Sequence, residues 1–462
     1  MAEGFFQPTP SDSTKELLGH KFFDELLSRS FFQHAPNNES LFVMHDLMND
    51  LATSVATEFY FRLDNESGKN IKKMKLDKYR HMLFVREEYV AYEKLQLPES
   101  IGTLRHLRYL NLSQTHITHL PEKVCNLVNL QTLILFGCDE LSELPNNFLN
   151  LKNLQHLDVR DTLLSFQMLL EISKLKSLQI TLSKINIESE SGIEIARLKD
   201  FKNLYEKFSV VGLEKVQNAT YAHEANFSEK RLSELELVWG DELNDSRNDM
   251  LEKEVLNELN PCHDTLLKLK LMSYGGLEFP KWVGDPSFLH LKHVSISGCK
   301  RCTSIPPLGQ LLSLKELLIE GLDGVEVVGF ELFGTGQAFP SLEILSFRDM
   351  RGWKKWSGAV FPRLQKLKIK DCPNLVEVTL EALPSLNDLR ISKCDSGVLR
   401  RFVEVASAVT KLGIGKISGL NDVVWRGVIE YLGAVEELEI SKCNEIRYLV
   451  KSDADAKRRG GG

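Results

Sequence analysis

The chain has 462 residues, with 57 lysines and arginines against 64 aspartates and glutamates, and a formal net charge of -7. This balance gives no global basic field, so binding to nucleic acid or to an anionic membrane is not expected. No apolar run approaches the roughly 18 residues of a membrane span, and residues 1–10 lack the pattern of a signal peptide. We therefore expect a soluble, cytoplasmic chain, with nucleocytoplasmic or peripheral plasma-membrane placement as alternatives.

Residues 1–75 predict a small winged-helix unit of helix, strand, helix and strand. Ser11 and Asp12 cap the first helix, and its apolar residues are spaced for one face: Leu17, Leu18, Phe22, Leu26 and Leu27. SLFVM and EFYFRL read as strands on either side of a second helix. That second helix carries Asp46, Asp50 and Glu58 but no lysine or arginine. Phosphate contacts need cations, so the unit is not expected to bind DNA.

Leucines then recur in LRYLNL from Leu107, LQTLIL from Leu130 and LQHLDV from Leu154, at steps of 23 and 24 residues. This period is typical of leucine-rich repeats. The register continues to give fourteen units in all, the later ones starting at Leu175, Tyr205, Leu232, Leu266, Leu291, Leu314, Leu342, Leu364, Leu386, Val409 and Val435. The repeat predicts an α/β leucine-rich-repeat solenoid over residues 76–450, preceded by the winged-helix remnant at 1–75 and followed by a flexible tail at 451–462.

Within each repeat, alternation along a short parallel strand turns the leucines inward and the intervening residues outward, onto a mostly polar concave face. Leu-Pro steps at residues 97, 120 and 144 direct the chain onto an irregular convex side. Five cysteines share one slot, eight positions after the first residue of a unit: Cys138, Cys299, Cys372, Cys394 and Cys443. A small thiol suits an inward turn, and this structural role is favoured over metal or redox chemistry, also for the Cys299 and Cys302 pair.

Two features of the later repeats suggest a binding surface. Outward cations there form a basic stripe: Lys366, Lys368, Lys370, Arg390, Lys393, Lys411 and Lys416. The hypothesis is a landing surface for an acidic partner or an acidic intramolecular segment; the alternative is an ordinary solvated face. Trp353 and Trp356 are either exposed interface anchors or residues packed under the next repeat.

The segment VMHDLMNDLA, followed by LPESIGTLRHLRYLNLSQTHITHLPEKVCNLVNLQTLILFGCDELSELP, resembles the plant intracellular nucleotide-binding leucine-rich-repeat disease resistance proteins of the coiled-coil class. In that family the Met-His-Asp motif lies in the winged-helix end of the nucleotide-binding (NB-ARC) module, where the histidine approaches the β-phosphate of ADP. The resemblance implies that place for Met44, His45 and Asp46. A helix's first turn favours an anion, although His45 and Asp46 could also merely cap the helix.

The phosphate-binding loop and the magnesium-binding acidic strand of that family do not occur in these 462 residues. The resemblance therefore predicts a receptor without its N-terminal signalling and ATPase parts, acting not as an enzyme but as a module that recognises a pathogen effector or a guarded host protein. Its cofactor would be ADP or ATP only in the complete architecture, with the nucleotide-binding module supplied in cis or in trans. Other readings are a nucleotide hydrolase, a non-immune scaffold or ubiquitin-ligase substrate receptor, and the inert product of a truncated gene.

Overall fold

The computed structural model describes residues 15–35, 38–44, 60–63, 79–84, 97–175, 177–201, 204, 206–241, 247–334, 338–358 and 361–448. Contacts divide the chain into two compact units, Met1–Leu182 and Ser183–Gly462. Within the described ranges, the first unit has a parallel sheet of six strands and the second a parallel sheet of eleven.

The first unit begins with helix α1 (Lys15–Ser28), where the sequence predicts a helix. An antiparallel hairpin follows, made of β1 (Phe32–Ala35) and β2 (Asn38–Met44). The strand predicted from SLFVM is therefore confirmed. The helix predicted after Met44 lies outside the described residues.

Aromatic side chains join α1 to this hairpin. The Phe23 ring lies 5.1 Å from that of Phe32 and 4.8 Å from that of Phe42, between ring centroids. Phe22 and Leu26, assigned to the buried face from sequence, are 45% and 37% exposed. Leu27 of the same face is half-buried, and the hairpin contacts the helix at Phe23.

The six-stranded sheet of the first unit runs in chain order. Its strands are β3 (Tyr60–Leu63), β4 (His81–Phe84), β5 (Tyr109–Asn111), β6 (Thr132–Ile134), β7 (His156–Asp158) and β8 (Gln179–Thr181). Strand β3, which the sequence assigned to the winged-helix unit, pairs in parallel with β4. The predicted boundary at residue 75 thus falls inside this sheet, because local sequence indicates a strand but not its hydrogen-bonding partner.

The eleven-stranded sheet of the second unit also follows chain order. Its strands are β9 (Lys184–Asn186), β10 (Lys207–Val211), β11 (Glu234–Val238), β12 (Lys268–Met272), β13 (His293–Ser297), β14 (Glu316–Glu320), β16 (Ile344–Arg348), β18 (Lys366–Lys370), β20 (Asp388–Ser392), β21 (Lys411–Gly415) and β22 (Glu437–Ser441). A side sheet contains β15 (Val327–Val328), β17 (Lys355–Ser357) and β19 (Glu377–Thr379). Thirteen of the fourteen predicted repeats contain a strand in the expected register. The unit predicted to start at Leu175 is displaced by two residues, because Ile180 pairs with Leu157 of the preceding strand.

Helices and turns connect these strands. The later α-helices are α2 (Phe166–Ile172), α3 (Ala219–Glu224), α4 (Asp249–Glu258), α5 (Phe330–Phe333), α6 (Ser396–Val405) and α7 (Asp422–Ile429). The 3-10 helices are Glu99–Thr103, Glu122–Asn126, Phe148–Asn150, Ile193–Asp200, Leu213–Lys215, Phe227–Glu229 and Leu308–Gln310. Pro98 and Pro121 directly precede the first two of these 3-10 helices. These Leu-Pro steps therefore lead the chain out of the extended conformation, as predicted.

The inward side chains of successive strands form the core of each sheet. In β18, Leu367 and Ile369 are 0% exposed, whereas the alternating residues Lys366 and Lys368 are half-buried on the opposite face. Each fully buried Leu or Ile contributes roughly 1.5–3 kcal/mol relative to exposure, so no repeat can leave its inner edge uncovered. The outward positions are left free for charged residues.

Candidate interaction surface

Of the three residues expected on the phosphate side of a nucleotide, the described structure contains one. Met44 is the last residue of β2, is half-buried, and pairs with Phe32 across the hairpin. His45 and Asp46 lie outside the described residues. A role of Met44, His45 and Asp46 in ADP binding therefore stays a prediction.

The largest exposed feature of the second unit is the outward side of its eleven-stranded sheet, here called the strand face. From β10 to β22 the strands pair residue for residue, so that the first, third and fifth positions form three rows. The first row reads Lys207, Glu234, Lys268, His293, Glu316, Ile344, Lys366, Asp388, Lys411 and Glu437. Charges of opposite sign thus alternate along much of this row.

Carboxylates neutralise most of the predicted basic stripe. Asp388 contacts Lys366 at 2.5 Å and Arg390 at 3.1 Å. Lys411 pairs with Glu437 at 2.7 Å. In the turn after the strands, Lys393 pairs with Asp371 at 2.6 Å. The stripe is therefore much less basic than predicted, because Asp388 and Asp371 pair with three of its cations and Glu437 of the last strand pairs with a fourth.

Asp388 is the centre of this paired region, and its side chain is only 11% exposed. Burial raises the pKa of the Asp388 carboxyl, but hydrogen bonds from Lys366 and Arg390 outweigh burial and hold that pKa below its ordinary value. The same hydrogen bond raises the pKa of Arg390. Both groups are therefore ionised at neutral pH, and neither is available to a partner without breaking the pair.

A similar cluster surrounds Glu234 near the other end of the strand face. Its carboxylate lies 3.8 Å from Lys207, 3.5 Å from Lys268 and 3.2 Å from Lys270. Burial raises the pKa of Glu234, but the Lys270 hydrogen bond and the three positive charges lower it overall. This end of the face is thus internally compensated as well.

Three cations of the strand face differ from these. Arg348, Lys368 and Lys370 form no salt bridge within the described part of the chain. They lie on the neighbouring strands β16 and β18. Sequence reasoning identified Lys368 and Lys370 but missed Arg348, whose position one repeat earlier becomes relevant only through the register. We call these three residues the cationic triad.

The structure corrects the reading of Trp353 and Trp356 as exposed anchors. Both side chains are 0% exposed and belong to an aromatic core with Phe347. Trp353 donates its indole N–H to the Lys355 carbonyl oxygen at 2.9 Å. Neither side chain is accessible to a binding partner, so both tryptophans are packed inside the repeats, which was the alternative prediction.

The cysteines of the shared slot turn inward, as the repeat predicts. Cys138, Cys299, Cys372 and Cys394 are buried, while Cys443, after the last strand, is half-buried. Cys138 donates to the Leu112 carbonyl at 3.1 Å, and burial raises the pKa of its thiol. All eight cysteines are free. Among the described residues, no three His, Cys, Asp or Glu side chains are grouped so as to hold a metal ion.

Comparisons with known proteins agree with this architecture. Residues 1–52 match the disease resistance protein winged helix domain, and residues 195–322 match the R13L1/DRL21 leucine-rich repeats. The disease resistance protein At3g14460 of Arabidopsis thaliana is 35% identical over 76% of this chain and 29% of its own length. The chain belongs to the family of plant disease resistance proteins. RPP13-like protein 1 of the same plant is 33% identical over 77% of the chain and 39% of its own length.

A further relative of this disease resistance protein is RGA4 of Solanum bulbocastanum, 34% identical over 78% of the chain and 38% of its own length. The chain thus spans between 29% and 39% of the length of these three relatives. The predicted winged-helix and repeat architecture is confirmed. In the part of the chain that the structure describes, no helix is long and apolar enough to cross a membrane.

Proposed function

We propose that the chain is the winged-helix and leucine-rich-repeat part of a plant immune receptor, and that its repeats recognise a pathogen effector or a guarded host protein. The observation that carries this proposal is the strand face, which runs across the strands from β10 to β22 and exposes charged and apolar residues on a rigid parallel sheet. Rigid, side-by-side strands hold contact residues in fixed positions, as protein recognition requires. The chain acts by binding rather than catalysis, in the cytoplasm.

The winged-helix region would belong to an ADP/ATP switch, with Met44, His45 and Asp46 facing the phosphates. One hydrogen bond to a charged group contributes roughly 1.5–3 kcal/mol, whereas even millimolar affinity needs about 4.1 kcal/mol. These residues alone should therefore not hold ADP more tightly than millimolar. Calorimetric titration of the purified chain tests this expectation, and a micromolar dissociation constant would contradict it.

The proposed recognition role can be tested with a chimera. The nucleotide-binding module that the family resemblance implies is taken from a plant disease resistance protein and joined to this chain. The chimera is expressed in leaves with a panel of pathogen effectors and scored for defence cell death. We expect a response to a particular effector that is lost when Glu236 and Glu316 of the strand face are replaced by alanine. Alanine at the exposed residues Val376 and Val423, off the strand face, is the matched control. Equal responses from both variants would refute recognition by the strand face.

A further inference from the structure

We propose that the cationic triad, with Leu318 and Ile344 beside it, is the docking site for an acidic segment of a protein partner. This inference rests on the proposed function only in that the strand face binds a protein. It adds the chemistry of the bound segment, which is an extended stretch of carboxylates next to an aliphatic side chain.

The first argument is the distribution of charge. Arg348 pairs in register with Lys370, and Lys368 lies two residues before Lys370 on β18. Neighbouring strands are about 4.8 Å apart and alternate residues of one strand about 6.6 Å, so three positive charges share a small area. Burial, together with the charges of Lys366, Arg348 and Arg390, lowers the pKa of Lys368. A bound carboxylate would relieve this repulsion.

Carboxylates of this unit near the ends of the two strands already have other partners. Asp349, which follows β16, pairs with Arg351 at 3.0 Å, and Asp371, which follows β18, pairs with Lys393 at 2.6 Å. Glu320 lies in register beside Arg348 without forming an ion pair within the described residues. Even with Glu320 beside it, the triad keeps a net positive charge that an outside group can neutralise.

A second, independent observation comes from Ser346, on the same rows. Ser346 lies directly beside Lys368 in the register of β16 and β18. It is only 6% exposed, and its hydroxyl has no hydrogen-bond partner. A buried hydroxyl without a partner is costly, and it could donate to a carboxylate oxygen held by Lys368. A hydroxyl and three cations on one small area are what an anionic group requires.

The surroundings indicate what kind of anionic molecule fits. Leu318 and Ile344 are half-buried on the same face, on the β14 and β16 side of Lys368. On the other side, Arg390 lies in register beside Lys368 and adds a further cation, while Ser392 beside Lys370 carries only a small side chain. Cations spread over two strands suit several carboxylates along an extended chain better than one compact phosphate. An apolar residue in the segment would then pack on Leu318 and Ile344.

The experiment measures binding of a fluorescent peptide that alternates glutamate, aspartate and leucine to the full chain, by anisotropy at low and at physiological salt. The triad variant is Arg348→Gln/Lys368→Gln/Lys370→Gln. The matched control, Lys207→Gln/Lys268→Gln/Lys270→Gln, removes the same charge from the paired end of the same face. Circular dichroism and urea melts show that each variant is folded.

We expect the triad variant to lose about tenfold or more in affinity and the control to lose less than about twofold. A peptide with glutamine and asparagine for its acids should not bind, and one with alanine for leucine should bind less tightly. Equal loss in both variants, or no binding to the wild-type chain, would overturn the proposal. Displacement of the peptide by inorganic phosphate at equal concentration would show a phosphate site instead. A failed chimera leaves this binding measurement intact, so the two proposals can fail separately.

Discussion

Helix α4 is fixed to the second unit by a buried ion pair whose removal should be measurable. Arg247 and Glu252 are each 7% exposed and joined by two hydrogen bonds of 2.7 Å. Arg247 also donates to the carbonyl oxygens of Gly240 and Ser273, and Glu252 accepts the Gly275 N–H at 2.7 Å. The pair thus connects the start of α4 to the ends of β11 and β12.

Removing one partner leaves the other charge buried without compensation, which costs about 3–5 kcal/mol. We therefore expect Arg247→Met and Glu252→Leu each to destabilise α4 by that amount. The double variant removes both charges and leaves only backbone groups without partners, so its cost should be about 1–3 kcal/mol. The two single costs added together should exceed the cost of the double variant by about 3 kcal/mol or more.

Hydrogen exchange of the α4 amides measures this local free energy directly, which matters because repeat proteins can open locally without unfolding completely. Lys253 and Glu278 provide the control, since they form a 2.7 Å pair from the same helix with side chains 38% and 63% exposed. Replacing both should cost less than about 1 kcal/mol. Additive costs at Arg247 and Glu252, or single costs no larger than at the control pair, would refute the reasoning.

Three other outcomes follow from individual groups. Trp353→Phe should lower the free energy of unfolding, measured by urea melts, by about 1 kcal/mol more than Trp356→Phe does. The reason is that the Trp353 indole N–H donates a hydrogen bond, whereas the buried Trp356 indole N–H has no hydrogen-bond partner. Equal decreases for the two variants would contradict this. A thiol reagent should label Cys262 and Cys443 quickly in the native chain and the six buried cysteines only on unfolding; early labelling of a third thiol would argue against the packing. Asp388 has a lowered pKa, so its stabilising contribution is complete above the ordinary carboxyl value of 3.8 and is lost as pH falls through the lower native value. Asp388→Asn should therefore lower the unfolding free energy at neutral pH and flatten its decline in acid.

Sequence periodicity determined most of the repeat architecture, because a leucine that must be buried in every repeat leaves a strong signal. One strand of the eleven-stranded sheet that it missed, β9 (Lys184–Asn186), lies between the units predicted to start at Leu175 and Tyr205. Its buried residues are Ile185 and Ile187 in a segment rich in serine and glutamate, with no leucine at those positions. A search for spaced leucines does not detect a repeat whose core residues are isoleucines.

The interaction surface was harder to predict than the fold. The sequence correctly indicated that Lys366, Lys368 and Lys370 share one side of a strand. It could not indicate which of them are neutralised, because Asp388 lies 22 residues from Lys366 along the chain yet 2.5 Å away in space. The sequence left open whether Trp353 and Trp356 are exposed or packed, because their burial depends on the next repeat folding over them.

Stacking repeats in register places equivalent side chains of the strand face next to each other, so their charges must be compatible. Equivalent positions of successive strands lie about 4.8 Å apart, so like charges there repel unless they alternate in sign. Lys366, Asp388, Lys411 and Glu437 alternate in this way and are paired. Arg348 and Lys370 occupy neighbouring strands with the same sign. Glu320 lies in register on the other side of Arg348, but Lys370 has only Ser392 on its other side. This break in the alternation of charge is where we propose that an acidic segment docks.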